Sequence, residues 1–233
     1  MEIELQNFFD ELDLRIEESE HTLNEIERVI FTGRYHLDTE HLAIFSVQTI
    51  AMIYSIWEGF IQKTFSDYLS TLNKLNIPFQ DYQNSIIVFQ MESKFKQFRE
   101  YPEKLSKRIK FLSDLQSHYQ SDRILLDTSI NTESNVSFDV LNKIMNQFSL
   151  EEFPERWGDD YNYPNPTLKE EMNTFLDYRN GVAHGGDISS IDKVTQQVFD
   201  RYKQLVLALM HEIRDRLYIG ADSKHYLKGD KKT

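Results

Sequence analysis

The chain has 233 residues, of which 40% are apolar, and its formal net charge is −12. This length and this apolar content are typical of one globular domain with elaborations, and they exclude an intrinsically disordered chain. The chain has no cysteine, which excludes disulfides and thiolate metal sites, and its acidic charge argues against nonspecific binding to duplex DNA, whose phosphates repel it.

The N-terminal region predicts a long amphipathic helix over residues 3–31. Apolar residues recur there at helical spacing, and Thr32-Gly33 ends the pattern. The beginning of the sequence is acidic and lacks the basic start and the apolar block of a signal peptide. We therefore expect a cytoplasmic protein.

The second predicted helix, over about 39–76, is the longest and the most apolar. Asp38 or Thr39 can cap its first turn, and Pro78 closes it because proline cannot continue a helix. Its richest apolar run, 50–61, is interrupted by polar residues and is shorter than the ~20 apolar residues of a membrane span. We therefore expect no membrane-spanning segment and interpret this helix as the spine of the fold.

Shorter elements are predicted in the middle of the chain. Residues 81–98 and 103–119 have helical periodicity, and 137–148 forms a short helix. The stretch 120–136 is polar with weak periodicity, which is typical of a loop. Residues 80–136 are therefore either an insert or an extension of a helical bundle.

The C-terminal region contains a long loop and two predicted helices. Three prolines make 150–166 a loop, and loops of that length are often functional. Helical patterns follow over 168–180 and 188–217. Three glycines break the chain between these helices: Gly181, Gly185 and Gly186. The elements together predict one all-α domain over 1–219, followed by a flexible tail over 220–233.

A basic segment interrupts this acidic chain at residues 94–110. Seven basic and two acidic residues give it a local charge of +5. The basic residues are Lys94, Lys96, Arg99, Lys104, Lys107, Arg108 and Lys110. Aromatic rings lie between them, so the segment is either a solvated helix face over core aromatics or the wall of a groove. In the second interpretation the cations follow an RNA phosphate backbone and the rings stack on bases.

The residues best suited to catalysis lie between the last two predicted helices. Arg179, Asn180 and His184 occur there among small residues, which leave room for a ligand or another chain. Histidine has an ordinary pKa of ~6.5 and exchanges protons at neutral pH, and a guanidinium binds phosphate oxygens through parallel hydrogen bonds. On an unbroken helix Arg179 and His184 would point ~140° apart, so we expect the glycines to turn the chain and bring both to one helix end.

This segment resembles the signature of the HEPN family (higher eukaryotes and prokaryotes nucleotide-binding domains), in which an arginine is followed after four to six residues by a histidine. The arginine, the asparagine and the histidine named above match that pattern. The stretch 53–60 resembles a prokaryotic HEPN branch that carries an acidic residue, here Glu58, in an apolar helix, and whose members often lie near defence genes. The resemblance covers about 40–217 and implies an antiparallel helical bundle with extra helices.

The resemblance implies a metal-independent endoribonuclease. In the family, two protomers pack about a two-fold axis and bring two arginine–histidine pairs into one cleft, so a homodimer without metal or cofactor is implied. The 2′-hydroxyl of RNA attacks its own phosphodiester, which gives a 2′,3′-cyclic phosphate and a 5′-hydroxyl. Arg179 would bind the phosphate, His184 would move protons, and Asn180 would hold the phosphate or the hydroxyl. A toxin or antiviral defence effector of this kind also implies an antitoxin or a partner defence protein.

Structural roles remain open for the same residues. Arg179 could form an ion pair with a nearby carboxylate, and His184 could cap a helix end. Glu58 shares a helix face with Ser55 and Gln62, so it either belongs to a solvated stripe or turns toward Arg179 and orients it. Two other functions also remain open: a non-catalytic module that binds a nucleotide or a partner defence protein, and an antitoxin-like regulator.

Overall fold

The structure, a computed structural model, describes residues 2–98, 100–119, 124–133, 135–183 and 194–229. Seven α-helices form within these ranges. In chain order they are α1 (Ile3–Phe31), α2 (Thr39–Lys74), α3 (Asn84–Lys94), α4 (Leu105–Tyr119), α5 (Phe138–Gln147), α6 (Leu168–Ala183) and α7 (Gln196–Asp222). Short 3-10 turns, Phe79–Asp81 and Lys96–Phe98, flank α3. The described residues form no β-strand, so the predicted all-α class is confirmed.

The longest helix, α2, forms the centre of the fold. It packs against α1, α6 and α7, and it buries large side chains such as Trp57 and Phe65. The Asp38 carboxylate accepts a hydrogen bond from the His41 backbone N–H and caps the helix, as predicted. By length and composition alone α2 could cross a membrane, but half of its most apolar window is buried inside the protein. The core helix of a folded domain has the same properties, so this is weak evidence for a membrane span.

Ion pairs and apolar contacts attach α1 to its two neighbours, α2 and α7. Arg15 on α1 pairs with Asp67 on α2 at 2.5 Å, and Arg214 on α7 pairs with Asp13 on α1 at 2.8 Å. Because these pairs are partly exposed, most of the stabilisation comes from the apolar side chains buried between the helices. The three helices form a frame, and α6 packs on its α2 side.

The region over 80–136 is attached to this frame through α3 and a cluster of aromatic rings. α3 packs on α5, whereas α4 buries only Phe111. The ring centroid of Phe111 lies 6.0 Å from that of Phe95 and 5.3 Å from that of Phe98. The opposite side of α4 leaves Ile109 exposed to solvent. α4 therefore lies at the periphery of the fold and contributes little to its core.

Two helix ends differ from the prediction near the candidate catalytic segment. α6 does not break at Gly181 but continues to Ala183. One glycine costs a helix only about 1 kcal/mol relative to alanine, and packing can offset that cost. α7 begins at Gln196, later than predicted, because the Thr195 hydroxyl accepts a hydrogen bond from the Val198 N–H and caps the helix there.

The segment after residue 219 also differs from the expected flexible tail. α7 extends to Asp222, and Tyr226 beyond it is buried. The Tyr226 carbonyl accepts a hydrogen bond from the Gln83 N–H at 2.8 Å. Ala221 and Tyr226 give this segment apolar surface to bury, which a prediction from polar composition overlooks.

Candidate functional site

Arg179 lies near the C-terminal end of α6, where that helix packs against α2. Its Nη1 atom donates hydrogen bonds to Oδ1 of Asn135 and to Oδ1 of Asn180, both at 3.0 Å. Its guanidinium carbon lies 5.1 Å from the centroid of the Tyr54 ring, within the range of a cation–π contact. Groups from α2, from α6 and from the loop before α5 thus hold one guanidinium.

Tyr54 forms the floor under this guanidinium. Its hydroxyl accepts a hydrogen bond from the Val136 backbone N–H at 2.5 Å. Burial raises the pKa of Tyr54 to about 12; the Val136 hydrogen bond and the Arg179 charge oppose this increase, and the Glu58 carboxylate adds to it. The phenol is therefore neutral at physiological pH, and it holds the loop and Arg179 rather than transferring protons.

Glu58 does not make the direct contact with Arg179 that was one of its two predicted roles, since no ion pair joins these two described side chains. Its Oε1 atom accepts a hydrogen bond from the Thr132 hydroxyl at 3.0 Å. The same hydroxyl accepts a bond from the Gln62 amide, also at 3.0 Å. Thr132 and Asn135 lie in the same loop. Glu58 therefore supports Arg179 indirectly, because its hydrogen bond holds the loop that contacts Arg179.

The sequence prediction missed the residues of this loop. Thr132 is buried, and Asn135 bonds to Arg179, yet both lie in the stretch 120–136 that was interpreted only as a loop. The loop is also fastened farther along α2, where the Asn73 side chain exchanges two hydrogen bonds with the Leu126 backbone. The one available signal was composition, because asparagine, serine and threonine side chains readily bond to neighbouring groups.

Part of the predicted site lies outside the described residues. His184 follows Ala183, the last described residue of α6, and the proposed turn at Gly185 and Gly186 lies in the same stretch. Arg99 of the basic segment is likewise outside. Of the three predicted catalytic residues, the structure therefore places Arg179 and Asn180, and it brings those two into direct contact.

Two members of the basic segment have structural partners. Arg108 donates a hydrogen bond from Nε to the Pro102 carbonyl at 2.6 Å, and its guanidinium lies 5.0 Å from the centroid of the Tyr101 ring. Lys94 lies 3.1 Å from Nδ1 of His118. Burial, followed by the charge of Lys94, lowers the pKa of His118. These two cations therefore hold the peripheral region together.

The remaining lysines of the segment line a surface groove of about 650 Å³. They are Lys96, Lys104, Lys107 and Lys110. Three carboxylates lie in the same wall, namely Glu100, Glu103 and Asp114, so the excess of positive charge in the groove is small. These carboxylates weaken the attraction of the groove for a polyanion.

A second groove, of about 500 Å³, connects the basic segment with the loop that holds Arg179. It shares Lys96 and Glu100 with the first groove and is bounded by Asn131 on its other side. Asn131 is adjacent to Thr132, and Asn135 follows a few residues later. A chain-like ligand lying in both grooves would thus reach the loop beside Arg179.

The arrangement around Arg179 is suited to binding an anion. Both hydrogen bonds within the described residues use Nη1. Nε and Nη2 have no acceptor there, and a guanidinium can offer such a pair of donors to two phosphate oxygens. Within the described residues, no three histidine, aspartate or glutamate side chains are grouped in a way that could hold a metal ion.

Comparison with known families agrees with this helical architecture. The profile of RiboL-PSP-HEPN domains matches residues 10–218, which is most of the chain. The chain belongs to the RiboL-PSP-HEPN family. The match begins within α1, earlier than the range 40–217 of the sequence resemblance, and so covers most of α1. No curated protein and no solved structure gives a significant match. Membership of this HEPN family confirms the resemblance and suggests a nuclease or RNA-related role.

Proposed function

We propose that this HEPN domain is a metal-independent endoribonuclease that acts in the cytoplasm as a toxin or an antiviral defence effector. The observation that carries the proposal is the prepared guanidinium of Arg179, five residues before His184, in a family with RNA-related roles. A cation fixed before the substrate binds needs no reorganisation when charge develops on a phosphate. Stabilisation of a charged transition state requires a group fixed in this way.

The reaction uses the 2′-hydroxyl of RNA as its nucleophile. The 2′-oxygen attacks the adjacent phosphorus, the bond from phosphorus to the 5′-oxygen breaks, and a 2′,3′-cyclic phosphate and a 5′-hydroxyl result. One neutral imidazole accepts the proton of the 2′-hydroxyl, and one protonated imidazole donates a proton to the 5′-oxygen. Arg179 stabilises the phosphate oxygens, and Asn180, whose Oδ1 already accepts from Arg179, offers its amide N–H groups. His184 supplies the imidazole.

The need for two imidazoles supports a homodimer, in which each copy contributes one His184. A two-fold axis brings identical groups together without further residues, and two-fold dimers are the commonest symmetric oligomers. The dimer also doubles the number of guanidiniums near the scissile phosphate. A single copy would hold only one of the two proton-transfer groups.

An exposed stripe on α2 is the surface we propose for this dimer. Phe45 and Met52 are each 47% exposed although both are large and apolar. Gly59 lies seven residues after Met52 and has open space where a side chain would be. In an antiparallel pair of α2 helices centred on Met52, Phe45 of each copy would lie opposite Gly59 of the other. Each phenylalanine ring would then fill the open space beside a glycine. Gln62 borders the stripe and bonds to Thr132, so the second copy would pack beside the loop that holds Arg179.

The substrate we propose is single-stranded or loop RNA. Its exposed bases can stack on aromatic rings, whereas those of an A-form duplex are inaccessible. Seven basic residues of the segment would contact the phosphates: Lys94, Lys96, Arg99, Lys104, Lys107, Arg108 and Lys110. The groove that Lys96 and Asn131 line would take such a strand as far as the loop that holds Arg179. Because unchecked cleavage would harm the host, an antitoxin or a partner defence protein completes the proposal.

A non-catalytic module is the second candidate. The bonds from Arg179 to Asn135 and Asn180, with the ring contact to Tyr54, would equally suit an arginine that only ties α6 to the loop. The dimer would then present a surface for a nucleotide or a partner protein. RNA cleavage by the purified protein separates the two candidates.

The test measures the rate of RNA cleavage by the purified protein in EDTA, with Arg179→Ala and His184→Ala beside the unmodified chain. Each variant should lose at least about 100-fold in rate, since each removes a positioned acid–base or electrostatic group. Arg156→Ala is the matched control, because Arg156 is exposed and, among the described residues, its side chain hydrogen-bonds to Asn162 alone, at 3.2 Å. An unmodified protein that binds RNA but never cleaves it would favour the module instead.

A further inference from the structure

A cleft of about 750 Å³ lies between the loop 150–166 and the helices α6 and α7. Its walls include Trp157 and Tyr161 from the loop, Glu171 from α6, and Arg201 from α7. None of the residues that hold Arg179 lines it. Glu171 precedes Arg179 by eight residues on α6, or about 12 Å along the helix axis. The cleft is thus separate from the candidate ribonuclease site.

Glu171 is the unusual group in this cleft. It is only 1% exposed, and its Oε2 atom accepts a hydrogen bond from the Arg201 guanidinium. Its Oε1 atom is buried and has no hydrogen-bond partner among the described residues. Burial raises the pKa of Glu171, while the hydrogen bond and the charge of Arg201 oppose that increase. A buried carboxylate oxygen without a donor costs free energy, so its presence at a cleft needs an explanation.

The charged side chains that line the cleft are mostly acidic. Three carboxylates and one guanidinium line it: Asp160, Glu171, Asp200 and Arg201. Burial together with the Glu171 and Asp160 charges raises the pKa of Tyr161 to about 12, against the opposing charge of Arg201. Burial and the charge of Glu27 likewise raise the pKa of Asp200. A cation entering the cleft would relieve these unfavourable interactions.

Aromatic rings form one wall of the cleft. The rings of Trp157 and Tyr161 are stacked, with centroids 5.8 Å apart and planes 5° from parallel. Ring faces attract cations, and tryptophan does so most strongly. Carboxylates and aromatic rings that line one cleft suit an organic cation with both charge and N–H donors.

We propose that this cleft binds a small organic cation that carries N–H donors, such as a polyamine or an alkylguanidine. The ammonium or guanidinium group would approach Glu171 beside Arg201, and its alkyl part would lie against Trp157 and Tyr161. The carboxylates line a wide cleft. Among the described residues, they belong to no group of three or more side chains that could hold a metal ion. A ligand several ångströms long therefore suits them better than a metal ion does. This proposal does not depend on the ribonuclease activity.

The test titrates spermidine and, separately, agmatine into the full-length protein in an amine-free buffer, and it follows tryptophan fluorescence and the heat of binding. Trp57 is buried, so Trp157 reports on the cleft. Saturable binding of at least one cation, with a change in fluorescence, is expected. Glu171→Gln should weaken it roughly tenfold or more, since it removes a buried charge.

Asp159→Asn is the matched control, because it removes one negative charge from the same loop at an exposed residue that does not line the cleft. It should leave the affinity within about twofold, as expected of an exposed charge. If Glu171→Gln does not fold, as judged by circular dichroism, Asp200→Asn takes its place with the same expected direction. The proposal is wrong if neither cation shows saturable binding up to millimolar concentration. It is also wrong if Glu171→Gln, or Asp200→Asn in its place, binds the cation as tightly as the unmodified protein does. Binding of guanosine monophosphate in preference to both cations would overturn it as well.

Discussion

The two cationic regions of this protein differ in how their charged groups are held. Arg179 is half-buried and fixed by Asn135, Asn180 and Tyr54. Lys104 and Lys107 are exposed, and in the described part of the chain they form no ion pair. A fixed cation can stabilise one particular transition state, whereas mobile surface cations raise the affinity for any polyanion. The density of positive charge in the basic segment therefore indicates where RNA could bind. The hydrogen-bond partners of Arg179 indicate where the candidate catalytic centre lies.

The largest expected effect comes from a substitution in the candidate catalytic segment and is measured as a loss of toxicity. Expression of the unmodified chain should arrest bacterial growth, and His184→Ala should abolish the arrest because it removes the proton-transfer group. Growth curves and total-RNA gels provide the measurement. His211→Ala is the control, since His211 is an exposed histidine on α7. Arrest by His184→Ala at equal protein levels would contradict the assignment of the centre.

The next effect concerns the dimer and compares two exposed apolar surfaces. Met52→Glu should make the protein monomeric in analytical ultracentrifugation and should remove most of its RNA cleavage, because a carboxylate in the proposed interface cannot be desolvated cheaply. Ile109→Glu puts the same charge on α4, at a residue that is 59% exposed, and should leave the dimer intact. The reverse outcome, with Ile109→Glu monomeric and Met52→Glu dimeric, would move the interface to α4.

A smaller effect is expected at the residue that supports Arg179. Asn135→Ala removes an acceptor at 3.0 Å and should lower kcat by about tenfold to a hundredfold, since a small displacement of a catalytic group is costly. Asn135→Asp keeps the acceptor and should restore most of the rate, which a purely structural defect would not allow. Thr128→Ala is the control, because Thr128 lies in the same loop, lines neither groove and makes no side-chain hydrogen bond among the described residues. Equal losses in both alanine variants would indicate a general effect on the loop.

The smallest effect is expected in the basic segment. Lys107→Ala should weaken RNA binding severalfold and make the dependence of log affinity on log salt shallower by about 0.7, the value for one phosphate contact on a single strand. Lys74→Ala, which removes an exposed lysine of α2, should leave the slope unchanged. Fluorescence anisotropy with a labelled oligonucleotide at several salt concentrations gives both values. An unchanged slope in Lys107→Ala would favour a plain solvated helix face.

The sequence predicted the helices well where a continuous apolar stripe decides the structure. The bounds of α1 and the cap of α2 at Asp38 agree with the prediction, because spacing and capping are local properties. The break predicted at Gly181 was wrong, since packing of α6 on α2 outweighs the modest cost of one glycine. Local rules cannot weigh a tertiary contact of that kind.

The candidate site was predictable in part. Arg179 and Asn180 stand out by residue type and spacing, but Asn135 lies 44 residues away and meets Arg179 only through the fold. A contact with Arg179 was one of the two roles predicted for Glu58, but its carboxylate accepts a hydrogen bond from Thr132 instead. The indirect support of Arg179 by Glu58 depends on the path of a polar loop with weak periodicity. No pattern in the sequence specifies that path.

The most direct test of the ribonuclease proposal is end-group analysis of RNA incubated with the purified protein in EDTA. We expect fragments that end in a 2′,3′-cyclic phosphate and begin with a 5′-hydroxyl, and no fragments from Arg179→Ala or His184→Ala. Fragments that begin with a 5′-phosphate, or cleavage that appears only after divalent ions are added, would contradict it.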